Sequence, residues 1–176
     1  MRPSGVSRGV LHRTELFVLA HDPEAARQAA TALFQSVRAQ LAAILPASAE
    51  VLHIGATAIP GCLTKGDLDI VVRVDPSHFT TVNGRLAASF DRNAGSIHTD
   101  DFAAFEDQDL HPHLGLQLTA KGGAFDIFHL FAQALRADRD LVERYNALKL
   151  RHHTRSMALY RAQKDAFVAE VLRSVE

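Results

Sequence analysis

Two acidic residues open a strand-like segment that is otherwise largely apolar. Asp67 and Asp69 begin the segment Asp67–Val74 (DLDIVVRV). Because side chains alternate along a strand, the two carboxylates should point to the same face. Two carboxylates on one face repel each other unless a cation lies between them, and carboxylate oxygens are ligands that Mg²⁺ prefers. The pair therefore predicts a Mg²⁺ site, with Mn²⁺ as an alternative, that keeps open positions for a substrate phosphate.

A turn of small residues precedes this acidic pair and ends the predicted strand Glu50–Ile54. Gly55 has no side chain, so the backbone there can approach an anion and offer N–H groups to phosphate. The Thr57 hydroxyl would add a donor, and Lys65 would supply a positive charge just before the second strand. We expect phosphate to be bound by Gly55, Ala56, Thr57 and Lys65.

Each of these signals alone has an ordinary structural interpretation. An Asp-x-Asp pair by itself is more often a solvated strand edge, and a Gly-Ala-Thr turn is a weaker signal still. Their combination is more specific, because a strand, a small-residue turn and two acids on one face follow each other within His53–Val74. The combination predicts a phosphate or metal site.

The same residues resemble the nucleotidyltransferases of the polymerase-beta type, which carry a Gly-Ser turn and then Asp-x-Asp or Asp-x-Glu on a strand. Within that superfamily, the GrpB family is more similar. Its members read His-Ile-Gly-Ser-Thr-x-Val-Pro-Gly, followed by Lys-Pro-x-x-Asp-Ile. The corresponding residues here are His53–Gly61 (HIGATAIPG) and Lys65–Ile70 (KGDLDI), and Tyr145–Lys149 (YNALK) resembles a helix of the family.

The resemblance implies an α+β fold with a nucleotidyltransferase-like mixed sheet flanked by helices and a helical C-terminus. It also implies a Mg²⁺-dependent transfer of a nucleoside monophosphate from a nucleoside triphosphate to an unknown acceptor. The chain departs from the family pattern at two positions. Ala56 lacks the hydroxyl of the usual Ser, whereas Asp67 adds a carboxylate where most members are apolar. Because GrpB-like domains also occur fused to dephospho-coenzyme A kinase, the alternative is a non-catalytic domain that binds a nucleotide or a coenzyme-A-related ligand.

The superfamily also uses a third carboxylate on a neighbouring strand, for which Asp126 is the candidate. Asp126 would act as a third catalytic group, beside Asp67 and Asp69, if Ala124–His129 forms a strand. The same residue would instead lie at a helix N-terminus, where it would favour the helix dipole, if the GrpB-like alignment holds. The sequence leaves both alternatives open.

Composition limits the remaining classes. The chain has 176 residues, with 19 Lys and Arg against 20 Asp and Glu, and 47% hydrophobic residues. These values are typical of a folded globular domain and give no indication of nucleic-acid binding through overall charge. With one cysteine and no apolar run of membrane-spanning length, we expect a cytoplasmic protein without membrane association. We expect Met1–Arg13 to be a flexible arm and residues 14–176 a single domain.

The hydrophobic pattern predicts the elements that would position the candidate residues. Asp22-Pro23-Glu24 is typical of a helix start, and we expect a helix from about Pro23 to Leu45. Further elements are a helix from Pro76 to about Phe90, a loop over Asp91–Asp101, strands at Glu15–Ala20, Phe102–Phe105 and His113–Thr119, and helices from Ala132 onward. Ala124–Phe131 fits either a strand or the start of a helix. The basic residues of the C-terminal part form either a solvated face or a phosphate-binding wall: Arg136, Arg139, Arg144, Lys149, Arg151 and Arg155.

Overall fold

A computed structural model describes residues 15–174. The helices are α1 (Pro23–Ala42), α2 (Phe79–Ala87), α3 (Phe128–Ala137), α4 (Arg139–His152) and α5 (Met157–Arg173). The strands are β1 (Leu16–Phe17), β2 (Glu50–Ile54), β3 (Leu68–Val74), β4 (Asp91–Arg92), β5 (Phe102–Asp107), β6 (Leu114–Ala120) and β7 (Arg155–Ser156). The expected arm at Met1–Arg13 lies outside the described residues.

Five strands form one mixed sheet in the order β2-β3-β6-β5-β4. Strands β3 and β6 run parallel, and the other neighbouring pairs are antiparallel. In this register Asp69 lies between Ile54 on β2 and Gly115 on β6. The sheet therefore places the second acid of the Asp-x-Asp pair at its centre, with no side chain on the β6 residue beside it.

The two faces of the sheet have different partners because side chains alternate along each strand. One face is apolar and packs on α1 and α2 through a core that includes Leu68, Ile70, Val72, Leu114 and Leu116. Asp69, Val71 and Arg73 point to the other face, which α3, α4 and α5 cover. Helices thus lie on both sides of the sheet, and the acidic pair faces the C-terminal helices.

The short strands β1 and β7 hold the C-terminal helices against the start of the domain. Leu16 pairs with Ser156 and Phe17 pairs with Arg155 in an antiparallel ribbon. The Phe17 ring is buried and stacks on Tyr160 of α5. These contacts place α5 across the second face of the sheet.

The mixed sheet with flanking helices and a helical C-terminus is the fold that the sequence predicts. The strand at Glu50–Ile54 has its predicted bounds, and the following strand begins at Leu68, one residue later than predicted. The strand alternative for Ala124–Phe131 is wrong, because a turn precedes α3, which begins at Phe128. The predicted loop Asp91–Asp101 contains the two-residue strand β4. Within residues 15–174, no helix is long and apolar enough to cross a membrane.

Candidate functional site

A cavity of about 430 Å³ lies between the second face of the sheet and helices α3 and α5. The end of β2, the turn after it and the start of β3 form one wall, which contains Gly55, Ala56, Lys65, Asp67 and Asp69. The structure thus brings the predicted metal ligands and three of the four predicted phosphate-binding residues to a single opening.

Asp67 and Asp69 share this cavity, but their surroundings differ. The Lys65 Nζ atom lies 3.0 Å from Asp67 Oδ2, and both side chains are about one-third exposed. Asp69 is half-buried. Burial raises the pKa of Asp69 above its ordinary value, and the nearby Asp67 charge raises it further, although the Lys164, Lys65 and His113 charges oppose this. Since burial disfavours the charged form, a bound cation would stabilise the Asp69 carboxylate.

Two glycines leave the space that the Asp69 carboxylate occupies. A Cβ atom on Gly55 would lie 2.4 Å from Asp69 Oδ2, and one on Gly115 would lie 3.0 Å from Oδ1. Gly55 also has a φ of +72°, in the left-handed region that disfavours other residues. The small residue at position 55 is therefore needed for Asp69 itself, in addition to any approach of a ligand to the backbone.

Helix α5 adds positive charge to the opposite wall. Arg161, Lys164, Asp165 and Val168 line the cavity and, at their spacing, form one face of the helix. Lys164 is close enough to Asp69 to lower the pKa of its carboxyl. These cations could not be identified from the apolar pattern that predicts the helix. Their three- and four-residue spacing places them on one helix face but does not indicate that this face meets the cavity.

Aromatic side chains form the deeper part of the cavity. They are Phe17, Phe128, Phe131, Tyr145 and Tyr160. The hydroxyl oxygens of Tyr145 and Tyr160 lie 3.3 Å apart, and Tyr145 also packs against the Lys149 ammonium. The cavity thus has a charged mouth and an aromatic floor, which suits a ligand with phosphates at one end and a flat ring at the other.

The Thr57 hydroxyl, which we expected to donate to phosphate, has other partners. It donates to the Asp67 carbonyl oxygen at 3.0 Å and lies 2.9 Å from His53 Nε2. Because its single proton goes to the carbonyl, the hydroxyl accepts from His53 Nε2–H. Burial lowers the pKa of His53 to about 4, with a contribution from Arg136. Neutral His53 and Thr57 therefore connect the end of β2 to the start of β3.

Asp126 does not join the other two carboxylates. It lies in the turn before α3, where Arg73 Nε and Nη2 donate to its two oxygens at 2.6 and 2.7 Å. The Gly122 N–H and the Thr119 hydroxyl also donate to it. Arg73 is four residues beyond Asp69 on β3, about 13 Å along the strand. The expectation of Asp126 as a third group beside the acidic pair is corrected, because Arg73 holds it at the other end of the sheet.

The strand beside Asp69 carries no acid towards the cavity. The β6 residues that face this side are Gly115, Gln117 and Thr119. Gln117 lines the cavity, and its buried Oε1 has no hydrogen-bond partner within residues 15–174. Gln117 could not be identified from the sequence, because nothing in its local pattern distinguishes it from any polar strand residue.

The donor set fits a hard divalent cation such as Mg²⁺ or Mn²⁺. Asp67 and Asp69 supply carboxylate oxygens, and Gln117 adds an amide whose oxygen has no partner. Within the described part of the chain, no group of three or more His, Cys, Asp or Glu could hold a metal ion. Two carboxylates would leave most of the coordination shell of a bound cation to other ligands.

Comparisons with known proteins identify the family of the chain. Residues 18–174 match the family model described as GrpB protein. A UPF0157 protein of Vibrio cholerae is 33% identical over 141 residues, which cover 80% of this chain and 74% of that protein.

Two solved structures have a similar fold. The conserved protein GrpB from Enterococcus faecalis superposes with a TM-score of 0.66 and 19% identity, over 83% of this chain and 92% of that one. Cid1 poly(U) polymerase, solved with MgGTP bound, superposes with a TM-score of 0.50 and 15% identity, over 72% of this chain and 42% of that one. The chain has the nucleotidyltransferase-like fold, and since the family model spans nearly all the described residues, it belongs to the GrpB family.

Proposed function

We propose that this protein is a Mg²⁺-dependent nucleotidyltransferase that moves a nucleoside monophosphate from a nucleoside triphosphate to an acceptor. One observation carries the proposal. The Asp67 and Asp69 carboxylates open into the same cavity as the cations Lys65, Arg161 and Lys164. Carboxylates and cations in one cleft suit a metal-bound polyphosphate, because the metal needs anionic ligands and the phosphates need positive charge.

Asp67 and Asp69 would hold the cation. When bound, the cation would neutralise charge on the phosphate oxygens and favour attack by the acceptor hydroxyl. Lys65 now pairs with Asp67. Because Lys65 is exposed on a flexible side chain, it can leave this ion pair and contact a phosphate when a cation takes its place.

The remaining walls would bind the rest of the nucleotide. The backbone at Gly55 and Ala56 faces the cavity, where it can approach a phosphate, and Arg161 and Lys164 face it from α5. The aromatic side chains offer apolar contact to a base, and excluding water there would strengthen the charge interactions at the mouth. Cid1 is named as a poly(U) polymerase that was solved with MgGTP, which supports a metal-bound nucleoside triphosphate as the ligand of this fold.

A second candidate function is nucleotide binding without transfer, or binding of a coenzyme-A-related ligand. The absence of an acid on the cavity-facing side of β6 favours it, because Gly115, Gln117 and Thr119 supply no general base. Asp126 is engaged by Arg73 and does not fill this gap. The two candidates predict the same ligand chemistry at the cavity mouth and differ in whether pyrophosphate is released.

Calorimetry with each of the four common nucleoside triphosphates, with and without Mg²⁺, tests the proposal. We expect binding that needs Mg²⁺ and that weakens about tenfold or more in Asp67→Asn and in Lys65→Ala, because each loses one charge at the metal–phosphate contact. Matched controls are Asp75→Asn and Lys121→Ala, an ion pair outside the cavity, which should bind as wild type does. Circular dichroism verifies that each variant is folded.

Three results would contradict the proposal or part of it. If no nucleoside triphosphate binds in the presence of Mg²⁺, the transferase and the nucleotide-binding alternative both fail. If a nucleotide binds but wild type releases no pyrophosphate with any alcohol, sugar, nucleotide or RNA acceptor, the binding domain becomes the better description. Transfer activity retained by Asp67→Asn would show that this carboxylate is an ordinary solvated residue.

A further inference from the structure

Gln117 occupies an unusual position beside the acidic pair. It lies on β6, two residues after Gly115, which is the register partner of Asp69. Its side chain lines the cavity from the same face of the sheet. The Gln117 Oε1 atom is buried and has no hydrogen-bond partner within residues 15–174. A buried amide oxygen without a donor is unfavourable, so a bound group that satisfies it would be stabilised.

Gln117 and Asp69 border the same small space. A Cβ atom on Gly115 would lie 3.0 Å from Asp69 Oδ1 and 3.7 Å from Gln117 Nε2. Because Gly115 has no side chain, nothing on this strand separates the Asp69 carboxylate from the Gln117 amide. A single ion in the cavity that both residues line could therefore contact both side chains after changes in their torsion angles.

The chemistry of a primary amide suits this arrangement. The amide nitrogen, a donor, is turned towards the space beside Gly115 that the Asp69 carboxylate occupies, and the amide oxygen is turned away from it. Rotation about the last torsion of the Gln117 side chain exchanges the nitrogen and the oxygen at little cost. A cation held by Asp69 would reverse the preference, since amide oxygens are accepted ligands of hard divalent cations.

We propose that Gln117 Oε1 is a neutral third protein ligand of the divalent cation held by Asp67 and Asp69. The inference rests on the proposed function and adds the composition of its metal site. Two carboxylates and one neutral amide give the site two negative charges, before Lys65 is counted. A site with a third carboxylate in place of the amide would have three. The site should therefore bind the free cation weakly and favour a cation that arrives with the nucleotide.

Mn²⁺ titration by calorimetry, without nucleotide, tests this proposal in the full-length chain. The nearly isosteric variant Gln117→Glu adds a third carboxylate and should bind Mn²⁺ about tenfold more tightly, because affinity rises with the charge of the ligands. Gln117→Leu keeps a similar size, removes the oxygen, and should bind about threefold or more weakly. The control Gln133→Glu adds the same charge at an exposed position of α3 outside this cavity. Its Mn²⁺ affinity should equal that of wild type.

The possible results separate this proposal from the broader one. If Asp69→Asn loses Mn²⁺ binding while Gln117→Glu and Gln117→Leu bind as wild type does, Gln117 is not a ligand and the proposal is overturned, although the proposed function stands. If the Gln117 variants change Mn²⁺ affinity as expected but no nucleotide binds, the metal site stands and the transferase does not. Should Gln117→Leu fail to fold, Gln117→Glu alone decides, and an affinity equal to that of Gln133→Glu overturns the proposal.

Discussion

Asp69 is the central residue of the candidate site, and its surroundings make ionisation of its carboxyl unfavourable. Its carboxylate is held between the backbones of Gly55 and Gly115. Burial raises its pKa, which means that the ionised form is less favourable here than in water. If Asp69 is a metal ligand as proposed, a bound cation would offset the unfavourable ionisation of its carboxyl in this position. Functional carboxylates are often found in such surroundings.

The first prediction is that Asp69→Asn stabilises the protein in the absence of metal at neutral pH. A carboxyl whose pKa is higher in the folded state binds more protons in that state than in the unfolded one. Asp69 therefore favours folding at low pH. This contribution is lost as the pH rises through the folded-state pKa. Removing the charge should raise the melting temperature at pH 7.5 by about 2–4 °C for each kcal/mol regained. Thermal unfolding followed by circular dichroism from pH 7.5 down to about 4 measures it.

The pH dependence distinguishes this effect from a general gain in packing. As pH falls and Asp69 of the wild type becomes protonated, the advantage of Asp69→Asn should disappear. The control Asp91→Asn changes an exposed carboxyl on β4 and should alter the melting temperature little at any pH. A stabilisation by Asp69→Asn that stays constant over the whole pH range would contradict the electrostatic explanation.

At the scale of elements, α4 holds the segment that carries Lys65 to the cavity. We call residues 61–66 the connecting segment, because they join the turn after β2 to the start of β3. Asn146 accepts from the Leu63 N–H and donates to the Gly61 carbonyl oxygen, both at 2.8 Å. Lys149 donates to the Leu63 carbonyl oxygen and to Cys62 Sγ. Two side chains of α4, one helical turn apart, thus fix the connecting segment by hydrogen bonds.

Lys149 makes these contacts as a buried residue. Its ammonium lies 3.7 Å from the centre of the Tyr145 ring. Burial lowers the pKa of Lys149 to about 8, although Cys62 opposes the shift. A lysine in such surroundings is sensitive to the loss of any partner, which makes Asn146 the cleaner position at which to test the role of α4.

The second prediction is that Asn146→Ala loosens the connecting segment. The substitution leaves the Leu63 N–H and the Gly61 carbonyl oxygen without their partner at a partly exposed site, which should cost about 0.5–1.5 kcal/mol of stability. Hydrogen exchange should become faster at residues 61–66, and nucleotide affinity should fall because Lys65 is held less firmly. The control Asn83→Ala also removes two side-chain contacts, but on α2, and should leave exchange at residues 61–66 unchanged. Unchanged exchange in Asn146→Ala would mean that α4 does not order the segment.

The sequence could predict the features that depend on residues close together in the chain, and not those that depend on contacts between distant segments. The strands at Glu50–Ile54 and Leu68–Val74 are mostly apolar segments with a turn between them, so their pattern alone indicates them. Lys65 and Asp69 are close along the chain, and a local motif predicted their common location. Gln117 and Lys164 reach the cavity only through the parallel pairing of β3 with β6 and the packing of α5. Such contacts between distant segments leave no mark in a local pattern.

The same reasoning explains the misplacement of Asp126. Its neighbours in the sequence fit a strand or a helix start equally well. The decisive contact is with Arg73, more than fifty residues earlier in the chain. A carboxylate in a cavity and a carboxylate in an ion pair look alike in the sequence, because the partner that distinguishes them is distant.

For the molecule as a whole, the acidic residues at the two ends of the second face of the sheet have different surroundings. At one end Asp67 and Asp69 are exposed to a cavity. At the other end Arg73 joins Asp126 to Glu50 in an ion-pair group. Burial alone would raise the pKa of Asp126, but the hydrogen bonds from Arg73 and the Gly122 N–H hold it below its ordinary value. Asp69 at the first end has no ion-pair partner within residues 15–174, whereas Asp126 is paired with Arg73.

The third prediction is that Asp126→Asn weakens the fold and leaves the metal site intact. Removing one partner of a mostly buried ion pair leaves Arg73 without its main anion, and should cost about 3 kcal/mol at neutral pH. Because the pKa of Asp126 is lower in the folded state, its contribution is present at neutral pH and is lost as the pH falls through that folded-state value. The stability gap between wild type and Asp126→Asn should therefore narrow in strong acid, as measured by urea unfolding.

Mn²⁺ titration of the same variant tests the division between the two ends. Asp126→Asn should bind Mn²⁺ as wild type does, because about 13 Å of strand separates Arg73 from Asp69. Glu50→Gln is a graded control, since Glu50 contacts the same Arg73 but is more exposed, and it should destabilise less. If Asp126→Asn instead loses Mn²⁺ affinity as strongly as Asp69→Asn does while remaining folded, the two ends are one site, and Asp126 regains the role of a third acid.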